Sequence, residues 1–211
     1  MMTKPPTKSA ISQKRVLDAA ARIFRDYGYA GATMRVIAEH AGLKAGSLYY
    51  HYKSKDELIS AVLDLGMNAA IQAMKTALAA LPPEASGRQR LEVAFRTHVA
   101  TIIANGDYSL ATSRVYGQVP EAIRVQHQKL RDPYGLVWRE ILTTAQKRGE
   151  FRADANLTLA RLLILGALNW TAEWYKPGSR SVDDVASGFA AIVMDGLAVP
   201  GGTAIEYEPV L

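Results

Sequence analysis

Apolar positions recur at helical spacing along nearly the whole chain, and the alternation that marks a strand is almost absent. Val16, Leu17, Ala20, Ile23, Phe24 and Tyr27 fall on one helix face, and Gly28 offers the left-handed backbone that closes such a helix. Thr33 is placed as an N-cap ahead of Met34, Ile37, Ala38 and Ala41, which repeat at i, i+3, i+4 and i+7 until Gly42 stops the second helix. After the break Gly42-Leu43-Lys44, the pattern predicts a short third helix from Ala45 to His51. Ser54-Lys55-Asp56-Glu57 has the form of a capping box opening a long fourth helix, with Leu58, Val62, Leu65 and Ala69 facing inward. Beyond the loop at residues 81–87, helices are expected over about 87–105, 108–116, 120–149, 155–175 and 182–198. Pro120 and Asp154 serve as starts; Gly149, Pro177-Gly178 and Pro200-Gly201-Gly202 serve as stops. Ser181-Val182-Asp183-Asp184 is a second capping box with Asp in the usual Glu position. The expected fold is all-α with about nine helices.

The second and third helices with their three-residue break have the size of a helix-turn-helix unit. Leu48 and Tyr52, four residues apart, can both face the core, whereas Tyr50 lies roughly 200° round the helix from Leu48 and points outward. Ser47, Tyr49, Tyr50 and His51 therefore put aromatic and hydrogen-bonding groups on a helix that single-chain folding leaves exposed. Tyr and Ser hydroxyls, Lys and the N–H groups of a helix start suit phosphate oxygens, and Ala, Ser and Lys near that start are short enough to reach base edges. Gly46 inside a helix costs roughly 1 kcal/mol. Close approach to DNA accounts for it better than flexibility does.

The charge distribution agrees with a nucleic-acid partner at the front of the chain. Of the 211 residues, the first 53 carry nine Lys or Arg against three acids, while the remainder carries sixteen against seventeen. A basic front end on a near-neutral body points to a polyanion met by the front end alone. The absence of cysteine excludes disulfides, thiol redox sensing and thiolate zinc sites. His40, His51, His98 and His127 have no metal-ligand spacing, and no Gly-rich loop matches a nucleotide motif. No enzymatic role, metal or cofactor is expected. The longest apolar run, Leu162 to Leu168, is far short of the ~20 residues that span a bilayer, and residues 1–10 lack a signal-like apolar run. A cytoplasmic protein without membrane contact is expected.

Residues 14–62 resemble the N-terminal domain of the TetR family of bacterial regulators. The likeness is carried by Thr33-Met34-Arg35-Val36-Ile37-Ala38 and by the run from Ala41-Gly42-Leu43-Lys44 through Ser47-Leu48-Tyr49-Tyr50-His51-Tyr52 to Asp56-Glu57-Leu58. The resemblance implies a basic arm at 1–10, a helix-turn-helix domain at 11–57, a ligand-binding and dimerisation domain at 58–198 and a tail at 199–211. It further implies that Thr33, Tyr49, Tyr50 and Lys55 grip phosphates while Lys44, Ala45, Gly46 and Ser47 lie against bases. Arg35 is read as a further phosphate contact. For His51 two readings stand, a hydrogen bond to the fourth helix or a phosphate contact. Ala45 departs from relatives, which often carry Lys, Ser or Thr there, so it is expected to meet a thymine methyl and Lys44 a guanine.

In the body, the helix around Leu162–Leu168 is apolar on all sides, which predicts a sandwiched position. The last helix sets Ala186, Gly188, Ala190 and Ala191 among larger apolar residues, as close helix packing requires. These two helices are the expected two-fold interface of a homodimer. Such a dimer would set two recognition helices ~34 Å apart on a palindromic operator. Trp170 and Trp174, at i and i+4, are either core aromatics or one wall of a pocket that Tyr108, Arg114, Tyr116, Trp138, Arg161, Gly166 and Asn169 complete. Residues 167–178 resemble the branch of the family that senses acyl-CoA thioesters, for which Arg114, Arg124, Arg152 and Arg161 are candidate phosphate partners. A small-molecule effector, acyl-CoA or a hydrophobic drug, would act through the fourth helix to release the operator. The alternative class is a non-specific architectural DNA binder, which needs neither pocket nor half-site symmetry.

Overall fold

The computed structural model describes residues 7–176 and 178–197, and among them nine α-helices and no strand. They are α1 (Lys8–Gly31), α2 (Met34–His40), α3 (Ala45–His51), α4 (Lys55–Ala79), α5 (Gly87–Ala104), α6 (Gly106–Val115), α7 (Glu121–Lys147), α8 (Leu157–Trp174) and α9 (Val182–Leu197). Most boundaries fall within two residues of those read from the sequence. Residues 1–6 of the arm, Pro177 and the tail from 198 lie outside the described residues.

Several caps form as their residue types dictate. Thr33 Oγ1 accepts from Val36 N at 3.3 Å and Ser54 Oγ from Glu57 N at 3.1 Å. The reciprocal half of the second cap differs from a capping box: the Glu57 carboxylate accepts from Lys53 N, at 2.7 Å, rather than from Ser54. At α9 both halves form, Asp184 N to Ser181 Oγ and Ser181 N to Asp184 Oδ2. Asn156, not Asp154, caps α8, accepting from Thr158 N and Leu159 N.

Four expectations are corrected. Residues 8–10 belong to α1, whose N-cap is Thr7, so the arm is helical from Lys8. Gly28 does take a positive φ of 68°, yet the chain resumes helical geometry to Gly31, and Tyr27 is exposed rather than on the buried face. On α4 the inward stripe is Leu58, Ile59, Val62 and Leu63, with Leu65 exposed. Within one chain α8 is not sandwiched, because only Ile164, Leu168 and Thr171 are buried, while Leu159, Leu162 and Leu163 face outward.

The core forms two clusters. One joins α1, α2 and α3 to the first half of α4 and to Tyr108, Ala111 and Val115 of α6. The other gathers Met74 of α4 with α5, α7, α8 and α9 around Trp138, Phe95 and Leu142. Helices α4 and α6 thus share apolar packing with the N-terminal module, and α4 also enters the core of the body. No helix is long and apolar enough to cross a membrane among the described residues.

Candidate nucleic-acid interface and effector cavity

Helix α3 buries Leu48 alone, Tyr52 is buried just past its end, and the remaining side chains line an outer face. Tyr50 is 74% exposed and Tyr49 is 47% exposed; Lys44, Ala45, Gly46 and Ser47 also stand open. A Cβ added at Gly46 would meet nothing within 4 Å, so no contact inside the chain requires glycine there. Gly42 differs, since its φ of 64° makes the turn between α2 and α3.

Three side chains of α1 hold the reader in place. Arg15 Nη2 donates to Ala41 O at 2.7 Å, tying the end of α2 to α1. Ser12 Oγ lies 2.6 Å from His51 Nε2, so the structural partner of His51 is α1 and not the fourth helix. Gln13 Nε2 donates to the Tyr52 hydroxyl at 3.2 Å. Lys14 pairs with Asp18 on its own helix. Thr33 is exposed with its hydroxyl engaged in the α2 cap, and Arg35 is exposed beside Glu39, at 3.3 Å. Lys55 is engaged within the protein: its Nζ donates to Tyr29 O at 2.9 Å and sits 4.2 Å above the Tyr29 ring. Lys55 thus ties α4 to the end of α1, and burial plus neighbouring Asp56 push the Tyr29 hydroxyl pKa up to about 12.

In the body, helices α4 to α8 enclose a cavity of about 930 Å³, within the range of small-molecule sites. Tyr108, Tyr116, Arg161, Gly166, Asn169 and Trp170 line it as expected. Three other expected members lie elsewhere. Trp138 is fully buried in the second core cluster, edge-on to Phe95. Trp174 does not stack with Trp170 but packs edge-on against Phe189 and Tyr175. Arg114 lies exposed on α6 outside the lining, where its backbone oxygen accepts from Gln118. Of the other cations suggested for CoA phosphates, Arg124 donates to Val119 O and Arg152 forks onto Asp154.

The sequence reading missed the charged part of this cavity. Arg131 and Arg139 on α7 join Arg161 on α8 in the lining, and none of the three has a carboxylate within 4 Å among the described residues. Their spacing is visible in the sequence: Arg131, Gly135 and Arg139 follow at i, i+4 and i+8, and Arg161 lies beside Gly135, its guanidinium 3.6 Å from where a Cβ would stand. The Arg131 guanidinium rests 4.9 Å from the Tyr116 ring centre. His98, Tyr134 and His127 supply buried polar groups. Burial, aided by Arg131, holds the His127 imidazole pKa down to about 4, and its Nδ1 has no hydrogen-bond partner among the described residues, lying 3.8 Å from Asp64 Oδ1.

Equally unforeseen is how tightly α6 grips α1. Asp107 pairs with both Arg22 and Arg25. Tyr108, one of the cavity residues, donates its hydroxyl to Asp18 Oδ1 at 2.8 Å. Just beyond α6, Gln118 Oε1 accepts from Tyr29 N at 3.0 Å, in the backbone opened by the turn at Gly28. Cavity wall and reader are therefore joined through single side chains.

A two-helix reader with an exposed second helix, seated on an all-α body with its own ligand-sized cavity, defines a one-component helix-turn-helix regulator. The chain belongs to the TetR family: residues 16–62 match "Bacterial regulatory proteins, tetR family" and residues 84–197 match "Tetracyclin repressor-like, C-terminal domain". It is 32% identical to the HTH-type transcriptional repressor KstR2 of Rhodococcus jostii (strain RHA1) over 94% of this chain and 99% of that one. The solved structure of the ketosteroid transcriptional regulator KstR2 of Mycobacterium tuberculosis superposes with a TM-score of 0.79 at 22% identity, covering 89% of this chain and 95% of the other. AibR, solved in complex with isovaleryl coenzyme A and operator DNA, gives a TM-score of 0.74 at 22% identity, covering 86% and 97%. The protein is a transcriptional regulator and not an enzyme.

Proposed function

We propose that this protein is a cytoplasmic repressor that binds a palindromic operator as a homodimer through α3 and is released by an acyl-CoA-type effector held in the cavity between α4 and α8. The observation that carries the effector class is the set of three arginines with no carboxylate within 4 Å among the described residues, Arg131, Arg139 and Arg161, in a lining that also holds aromatic and aliphatic side chains and the carboxylates of Asp132 and Glu173. Such a combination suits an anionic amphiphile, with phosphates paired to guanidinium groups and an acyl chain against Leu63, Met67, Ile102 and Leu165. A non-specific architectural protein has no use for it. The AibR complex with isovaleryl coenzyme A supports the same class.

The outer face of α8 supports dimerisation. Leu159, Leu162, Leu163, Gly166 and Trp170 form a stripe at i, i+3, i+4, i+7 and i+11, and on α9 Ile192 is 73% exposed. A contiguous apolar face of this kind is seldom left to water. A second copy using the same face gives the isologous contact that a palindrome requires.

For release, the effector must favour a conformer whose two α3 helices are wrongly spaced. Helix α4 runs from its cap beside the reader to the cavity residues Leu63, Gly66, Met67 and Ala70. Helix α6 adds a second route through Tyr108, which touches both the cavity and Asp18. The test is a mobility-shift series on DNA from upstream of the protein's own gene, with acyl-CoA thioesters, the free acids and uncharged hydrophobic drugs. Release by thioesters alone is expected, and release by a drug alone would overturn the effector class. In the same assay Tyr108→Phe should retain thioester affinity within about threefold while the effector's effect on operator affinity falls about tenfold, the scale of one hydrogen bond to a charged group. Unchanged release by the variant would remove α6 from the coupling.

A further inference from the structure

Between the cavity and α4 stands a titratable pair that is only half made. His127 of α7 is 3% exposed and lines the cavity, with Nδ1 3.8 Å from Asp64 Oδ1. That separation is too long for a hydrogen bond, and no other group among the described residues partners this nitrogen. Asp64 is half-buried on α4, where burial raises its carboxyl pKa, and no Lys or Arg lies within 4 Å of it among the described residues. A buried nitrogen that faces a poorly solvated carboxylate without bonding to it calls for an explanation.

The groups around the ring come from every side of the cavity. Asp64 faces it from α4, and the Tyr116 ring, just past α6, meets it edge-on with centres 6.1 Å apart. Arg131 lies one turn along α7 with its guanidinium over the Tyr116 ring, and Asp132 accepts from Gln128 Nε2 at 2.5 Å. From α8, Arg161 and Glu173 line the same cavity, and neither pairs with His127 or Asp64. Burial first and Arg131 second hold the imidazole pKa down to about 4, so the ring is neutral near neutral pH. An anionic group bound at Arg131 reverses the second cause, because it offsets the repelling cation and sets a negative charge beside the ring. The imidazolium carries an N–H on both nitrogens, and a charge-assisted bond from Nδ1 to Asp64 is about 2.8 Å long, some 1 Å shorter than the present gap. Asp64 follows Lys55 by nine residues, roughly 14 Å along α4, beside the cavity residues Leu63 and Gly66.

Building on the reading that an anionic effector occupies this cavity, we propose that its binding drives one proton from solvent onto His127, and that the imidazolium then pairs with Asp64 and draws α4 toward α7. Arg131 holds the anion. His127 and Asp64 are positioning residues that convert its arrival into a shift of the helix that carries the reader. The bound form holds one more proton than the free form, so effector affinity rises as pH falls, by up to about tenfold per pH unit.

The experiment uses the full-length protein with 15N-labelled histidines and the acyl-CoA thioester that releases the operator in the mobility shift. At about pH 5.5, the His127 nitrogens, assigned by their loss in His127→Gln, are expected to move from neutral to imidazolium shifts in half of the molecules or more when the thioester is added. Calorimetry should show wild-type affinity rising about fivefold or more between pH 7.5 and 5.5 relative to His127→Gln, a comparison that removes the titration of the thioester's own phosphates. Asp64→Asn should keep thioester affinity within about threefold at pH 7.5, while the effector's effect on operator affinity falls about tenfold. Helicity and effector-free operator affinity check that both variants keep the fold. A ring that stays neutral in the bound protein, coincident pH profiles for wild type and His127→Gln, or unchanged release by Asp64→Asn would overturn the inference while leaving the effector class standing. If no thioester binds or releases the operator, the effector class fails and the inference with it.

Discussion

Replacing Leu163 with glutamate is expected to turn the dimer into a folded monomer and to lower operator affinity by about a hundredfold or more. Leu163 is 69% exposed and flanked by exposed Leu162 and Leu159, so within one chain it contributes little to stability. Across a two-fold axis the same substitution sets two carboxylates into an apolar contact, where unpaired charges are strongly disfavoured. The loss of operator affinity comes from separating two readers that bind as one unit, a linkage worth about 10²–10⁴ in affinity. Analytical ultracentrifugation and operator titration on the same sample check both halves. A variant that stays dimeric would place the interface elsewhere, and a monomer with undiminished affinity would show that a single reader suffices.

The second large effect belongs to Gly46. Gly46→Leu should leave the melting temperature unchanged or raise it, because the new side chain meets no atom of the chain and helical glycine is disfavoured by roughly 1 kcal/mol. Operator binding should nevertheless fall by about a hundredfold, since the added side chain stands on the exposed face of α3 that we propose to meet the bases. Stability and function move in opposite directions only if something outside the chain closes on that position. Thermal denaturation paired with operator titration reads both quantities, and wild-type affinity in the variant would turn this face of α3 away from DNA.

These residues also show which features the sequence made legible. Leu48, Tyr50 and Gly46 could be assigned to core or surface because one short helix carries its own periodicity, and the helix starts at Thr33, Ser54 and Ser181 are local hydrogen-bonding events. Gly28 was correctly marked as left-handed, yet its consequence, the Tyr29 N–H presented to Gln118, depends on a residue 89 positions away. The Tyr108 to Asp18 bond spans 90 positions and has no local signature at all. The cavity arginines were hidden for another reason: a charged row on an amphipathic helix looks the same whether it faces solvent or a ligand site. Trp138 and Trp174 were drawn into the pocket reading by residue type alone, and packing sent one to the core and the other against Phe189. Helix α8 was read accurately as apolar all round, but its outer half is left uncovered by its own chain.

The most direct measurement of a single chain that both reads DNA and senses a ligand is reciprocal linkage. Effector affinity is determined by calorimetry with the free protein and again with the protein saturated by operator DNA, using the thioester that releases the operator in the mobility shift. Coupling through the protein requires that operator DNA weaken the effector by the same factor as the effector weakens the operator, a factor expected to be about tenfold or more. An effector affinity that is identical with and without operator would contradict the account.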